Sequence, residues 1–108
     1  MSYKVLGQSA PSAATLTTLY TVPASKETVV STLTVCNRSA VATEFRIAVR
    51  PAGASIADAH YEYYDIAIPG NETFKSTAGL TLETTDVVSV YATLATLSFN
   101  LSGNETDV

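Results

Sequence analysis

The chain reads as an all-β protein, a single antiparallel β-sandwich of jelly-roll or immunoglobulin-like type with about eight strands. Three observations predict it. Phe45, Ile47 and Val49 alternate with Glu44, Arg46, Ala48 and Arg50, which puts an apolar row on one sheet face and a charged row on the other. Turn-forming residues recur about every ten positions, the spacing of a sandwich. No segment carries the 3.6-residue apolar period of a crossover helix, which argues against a parallel α/β fold.

The elements follow in order. Residues 3–8 form a first strand, and the small residues of 9–14 form a link. Residues 16–22 form a second strand, closed by Pro23, with a turn over 23–26. Two long strands come next, 27–37 and 42–50, joined at Asn37, Arg38 and Ser39. The Pro, Gly and Ala content of 51–57 marks a loop, the longest irregular segment. Residues 59–68 form a tyrosine-rich strand, with Tyr61 and Tyr63 on one face and Glu62, Tyr64, Ile66 and Ile68 on the other. After a turn at Pro69, Gly70 and Asn71, residues 73–82 carry Phe74, Leu80 and Leu82. Gly79 within this run predicts a bulge or a break into two short strands. Residues 87–93 and 95–101 are expected to form a hairpin, with Leu97, Phe99 and Leu101 facing the core. The polar, acidic end at 103–108 is expected to be a flexible tail that frays.

With 108 residues the chain fits one domain, 1–108. Apolar residues make up 46% and charged residues 15%, against roughly 25% charged in ordinary soluble domains, so some apolar surface is expected to meet a partner. Ten Asp and Glu against six scattered Lys and Arg argue against nucleic acid, which needs a dense basic patch. Cys36 is alone and cannot form an intrachain disulfide. Its place at the end of an apolar run suits a small buried hydrophobe. The first residues lack a signal-peptide core, and no later stretch reaches the ~18 apolar residues of a spanning helix. The expectation is synthesis in a cytoplasm and no membrane partner. Asn-x-Ser/Thr triplets begin at Asn37, Asn71, Asn100 and Asn104, but with sixteen threonines in the chain such triplets arise by chance.

Asp58, His60 and Glu62 alternate and would project from one strand face. A metal site needs three or four ligands in a closed geometry, and the chain has one His, so a solvated strand edge is the better reading. Nothing resembles a nucleophile elbow or an oxyanion hole, and the five glycines stand singly, which rules out a phosphate loop. No catalytic residue, metal ligand or cofactor is assigned, and the chain is not expected to be an enzyme. Tyr61, Tyr63, Tyr64 and Tyr91 are amphipathic surfaces of the type found at recognition sites and interfaces, and for the alternating pair Tyr61 and Tyr63 a packed sheet face or subunit contact is the better reading than a sugar platform.

Several segments together carry a resemblance: Tyr-Lys-Val-Leu-Gly-Gln at 3–8, Leu-Tyr-Thr-Val-Pro at 19–23 and Val-Cys-Asn-Arg-Ser at 35–39. With them go Phe-Arg-Ile-Ala-Val-Arg-Pro-Ala-Gly-Ala at 45–54, Thr-Thr-Asp-Val-Val-Ser-Val-Tyr-Ala at 84–92 and Ser-Phe-Asn-Leu at 98–101. Across nearly its whole length the chain resembles small virion structural proteins of tailed bacteriophages, especially those of cyanobacterial viruses. The resemblance implies a place in the virion, most simply as a capsid decoration or cement protein bound to the major capsid protein or another virion protein. It implies multiple copies, with a homotrimer favoured. The alternatives are a tail, baseplate or fibre-associated module touching host glycans through residues 61–64, and a free carbohydrate-binding domain. An exposed first strand could add to a partner's sheet edge, which makes Tyr3, Lys4, Val5 and Leu6 the candidate contact residues beside Tyr61 and Tyr63.

Overall fold

Alternation of apolar and polar residues fixes which way each strand faces, and where it slips the strand bulges. The computed structural model describes residues 2–77 and 79–108, with only the backbone at Ser2. Among the described residues there are nine strands: β1 (Ser2–Ser9), β2 (Thr17–Thr21), β3 (Lys26–Asn37), β4 (Thr43–Arg50), β5 (Tyr61–Ile68), β6 (Thr73–Ser76), β7 (Leu80–Leu82), β8 (Val87–Ala92) and β9 (Leu97–Asp107). They build two antiparallel sheets packed as a β-sandwich, as expected. One runs in the order β1-β9-β3-β6, with β7 also on β3, and the other in the order β2-β8-β4-β5.

The core lies between the sheets. Phe45 and Ile47 of β4 and Val88 and Val90 of β8 face Leu33 and Val35 of β3 and Leu97, Phe99 and Leu101 of β9. Burying each such side chain contributes roughly 1.5–3 kcal/mol, so these rows fix the pairing of the layers. Phe45 is the centre of an aromatic cluster, 5.1 Å from the Phe74 ring and 6.1 Å from Phe99. In β3 the register shifts between Val30 and Thr32, so Val30 and Leu33 both face inward although three residues apart.

Asn37 closes one end of the sandwich. Its side chain is buried, and its Nδ2 donates to the carbonyls of Val41 at 2.9 Å and Pro69 at 3.2 Å. Its Oδ1 accepts the Ser39 N–H at 3.1 Å, so one amide holds two turns.

Several expectations change. The break at Gly79 is present, with Gly79 at φ 77° between β6 and β7, so residues 73–82 yield two strands and the total is nine; Ala78 lies outside the described residues. The expected hairpin of 87–93 and 95–101 does not form, because β8 and β9 belong to opposite sheets. Their connection crosses the sandwich, so that both strands bury their apolar rows from opposite sides. The expected tail at 103–108 is corrected as well: up to Asp107 it is the second half of β9, paired with β1 on one side and β3 on the other. Polar composition there reflects a strand whose inward positions are Gly103 and Glu105, and only Val108 follows the strand.

The tyrosine-rich strand starts at Tyr61, not at residue 59; Asp58–His60 is a single 3-10 turn. The β5 register on β4 shifts twice, between the pairs Ala48↔Tyr61 and Ile47↔Tyr63 and again between Ile47↔Tyr63 and Phe45↔Ile66. Each shift inserts one residue and reverses the alternation. Tyr63, Ile66 and Ile68 therefore pack on the core, while Tyr61 and Tyr64 meet outside it, their rings 4.9 Å apart. The expected pairing of Tyr61 with Tyr63 on one face is overturned.

Candidate functional site

Two surfaces concentrate chemistry, one on each sheet. The first is β1, which ends its sheet and pairs with β9 alone. The alternation along β1 aims Tyr3 and Val5 outward, 81% and 57% exposed, on the same face as Val29 of β3, 53% exposed. Tyr3, Asn104 and Val29 form one row across the three strands, and Val5, Ser102 and Thr32 form the next. Leu6 behaves differently. It sits at a register shift between Val5 and Gly7 and is half-buried against the core.

Gly7 explains how β1 seats. A Cβ there would lie 2.3 Å from the Leu19 carbonyl oxygen, so only glycine lets β1 close against β2 of the other sheet.

Lys4 turns inward at the strand edge. Its Nζ lies 2.6 Å from Glu105 Oε1, and the other carboxylate oxygen, Oε2, accepts the Tyr20 hydroxyl at 2.5 Å. With its proton given to Glu105, the Tyr20 hydroxyl accepts from Thr28 Oγ1 at 2.8 Å. Tyr20 belongs to the β2 sheet and Lys4, Thr28 and Glu105 to the other, so this chain of bonds crosses the sandwich. The Lys4 ammonium, with the Tyr20 hydroxyl second, holds the buried Glu105 carboxyl below its usual range. Burial, with the Glu105 contact second, pushes Tyr20 up to about 12.

The second surface lies on the outer face of β4, β5 and β8. The Arg46 guanidinium stacks between two rings, 4.2 Å from the Tyr64 centroid and 4.4 Å from that of Tyr91. It also pairs with Asp65, Nε to Oδ1 at 2.6 Å and Nη2 to Oδ2 at 3.4 Å. The hydrogen bond from Arg46 to Asp65 raises the guanidinium pKa above its ordinary value. Tyr61 meets Tyr64 nearly at a right angle, 83° between planes. Residues 51–60 connect β4 to β5, and Arg50 holds this loop through the Ala54 carbonyl at 3.0 Å. Ala48 and Ser89 are buried. Near the end of the loop, Asp58 joins Tyr61 and Tyr64 around an open depression of about 440 Å³.

The expected contact residues are thus divided. Tyr3 and Val5 share one exposed surface, Lys4 and Leu6 serve the fold, Tyr61 belongs to the second surface, and Tyr63 is a core residue bonded to Ser76 Oγ at 2.7 Å. Asp58 and His60 lie in a turn and do not share a strand face with Glu62, and the His60 Nδ1 accepts the Ala57 N–H at 3.1 Å. Sequence reasoning singled out Tyr64 and Tyr91 among the tyrosines and set Tyr64 on the face opposite Tyr63, but did not join them with Arg46 and Asp65, because that grouping depends on which strands pair.

No family model, curated protein or solved structure matches the chain.

Proposed function

We propose that the protein is a non-enzymatic structural component of a tailed-phage virion, a decoration or cement protein that binds the head lattice. The β1 edge is the observation that carries this reading. Of the sandwich's edges, β2 has five residues, β6 four and β7 three, while β5 is interrupted by two register shifts. β1 runs for eight residues, is regular over 2–5, and presents Tyr3 and Val5 beside Val29. A long edge strand with exposed apolar side chains is a template for strand addition, and natural proteins blunt such edges unless they use them. A capsid-protein segment added there gains main-chain hydrogen bonds and buries Tyr3 and Val5. Many weak attachments of this type, as monomers or trimers on a symmetric lattice, add to particle stability through linked binding. The resemblance to phage structural proteins along the chain points the same way.

The test is the copy number in purified virions by quantitative mass spectrometry, followed by rebinding of the pure protein to stripped heads. A decoration protein is present in hundreds of copies and rebinds. The Tyr3→Glu/Val5→Glu variant keeps its fold, because both side chains are exposed, and loses at least about tenfold in affinity. A few dozen copies places the protein in the tail, and absence from the particle ends the virion reading.

A further inference from the structure

The depression at Asp58, Tyr61 and Tyr64 has features that attachment through β1 does not use. β5 is irregular at two points within six residues, and Asp65 sits at φ 51°, a conformation unfavourable for any residue with a side chain. Bulges of this type re-aim side chains, and here they bring Tyr61 and Tyr64 together on the outer face. Tyr64 is 54% exposed, yet its ring is fixed by two contacts, the Arg46 guanidinium and the Tyr61 ring. An exposed aromatic held in this way is ready to bind without losing further freedom.

The charges select the ligand. Arg46 is already paired with Asp65, so it offers no free cation to an anionic ligand. Its positive charge beside Tyr64 also disfavours a second cation on that ring. The Asp58 carboxylate, in contrast, has no hydrogen-bond or ion-pair partner among the described residues, and it borders both rings. Two aromatic rings and one free acceptor suit a neutral molecule with an apolar C–H face and hydroxyl donors at its rim. The geometry points to a binding site for a neutral pyranose residue of a polysaccharide, its C–H face on one tyrosine ring, its edge against the other, and a hydroxyl pair donating to Asp58. The depression falls within the ~300–1,000 Å³ typical of small-molecule sites, at 440 Å³. This inference is independent of head attachment, since the site lies on the other sheet from β1.

The experiment is saturation-transfer NMR on the full chain with the methyl glycosides of glucose, galactose, mannose and N-acetylglucosamine at millimolar concentration. Tetramethylammonium is tested separately under the same conditions. The expected result is transfer to the ring C–H protons of at least one glycoside. Tyr64→Ala and Asp58→Asn should each weaken it by roughly tenfold, the scale of one aromatic or hydrogen-bond contact, and Tyr3→Ala should leave it unchanged. Asp58→Asn is nearly isosteric at a side chain without partners, so it tests the site without threatening the fold. No transfer from any of the four glycosides, or equal transfer in Tyr64→Ala and Asp58→Asn, overturns the proposal. Binding of tetramethylammonium with no glycoside signal overturns it in favour of a cation cage.

Discussion

Glu105 makes the fold sensitive to pH from both sides. Its folded-state carboxyl lies below the ordinary value of 4.5 because Lys4 and Tyr20 stabilise the charged form. The stability this contributes is present above about pH 4.5 and is lost as pH falls through the folded value. Tyr20 is the converse: its hydroxyl is raised from 10.0 to about 12, so its contribution is complete below pH 10 and disappears as pH rises toward 12. Urea denaturation across pH should show both limbs. Glu105→Gln should flatten the acid limb and cost about 1–3 kcal/mol near neutral pH, less than a fully buried pair because Lys4 is half in solvent. An acid limb as steep in Glu105→Gln as in the wild type would assign it to other carboxylates. Nothing in the sequence marks Glu105 for this role. It lies in a polar stretch that reads as a tail, and its partners Lys4, Tyr20 and Thr28 are brought to it only by the pairing of distant strands.

At the scale of elements, alternation was legible where strands are regular and failed where they bulge. Phe45 and Ile47 in β4, and Leu97, Phe99 and Leu101 in β9, face the core as their spacing predicts. Gly79 marked its break because its backbone needs a positive φ. The two insertions in β5 left only a faint mark, since Glu62 is compatible with a strand surface and Asp65, though disfavoured in strands and tolerant of a positive φ, is no glycine, and so Tyr61 and Tyr64 were assigned from an unbroken period. Gly103 is another position whose meaning appears only on pairing. A Cβ there would lie 2.2 Å from the Val29 carbonyl oxygen and 2.9 Å from Val30 Cα, where β9 crosses the bulge of β3. Gly103→Ala must push the strands apart and should cost about 1–3 kcal/mol, measured by thermal or urea unfolding. A neutral effect would mean that β9 can shift at its bulge at no cost.

For the whole molecule, composition and turn spacing carried the sandwich, but strand order was out of reach, because β-pairing joins residues that are far apart in the chain. The candidate attachment edge was legible as an exposed first strand; that its Lys4 and Leu6 are turned inward was not. The position of β9 between β1 and β3 bears on how the protein is made. Residues 2–9 leave the ribosome long before residues 97–107, yet they have no strand to join until β9 is available, and residues 26–37 have until then only the short β6 and β7 on one side. Almost every stabilising contact is therefore long-range, which places the protein among slow folders. A chain stopped at residue 96 should show no cooperative unfolding and rapid cleavage by proteases, whereas the full chain resists both. During synthesis the chain up to residue 96 thus carries β1 unpaired and one long edge of β3 open, and its protection against aggregation has to come from the cell until β9 arrives.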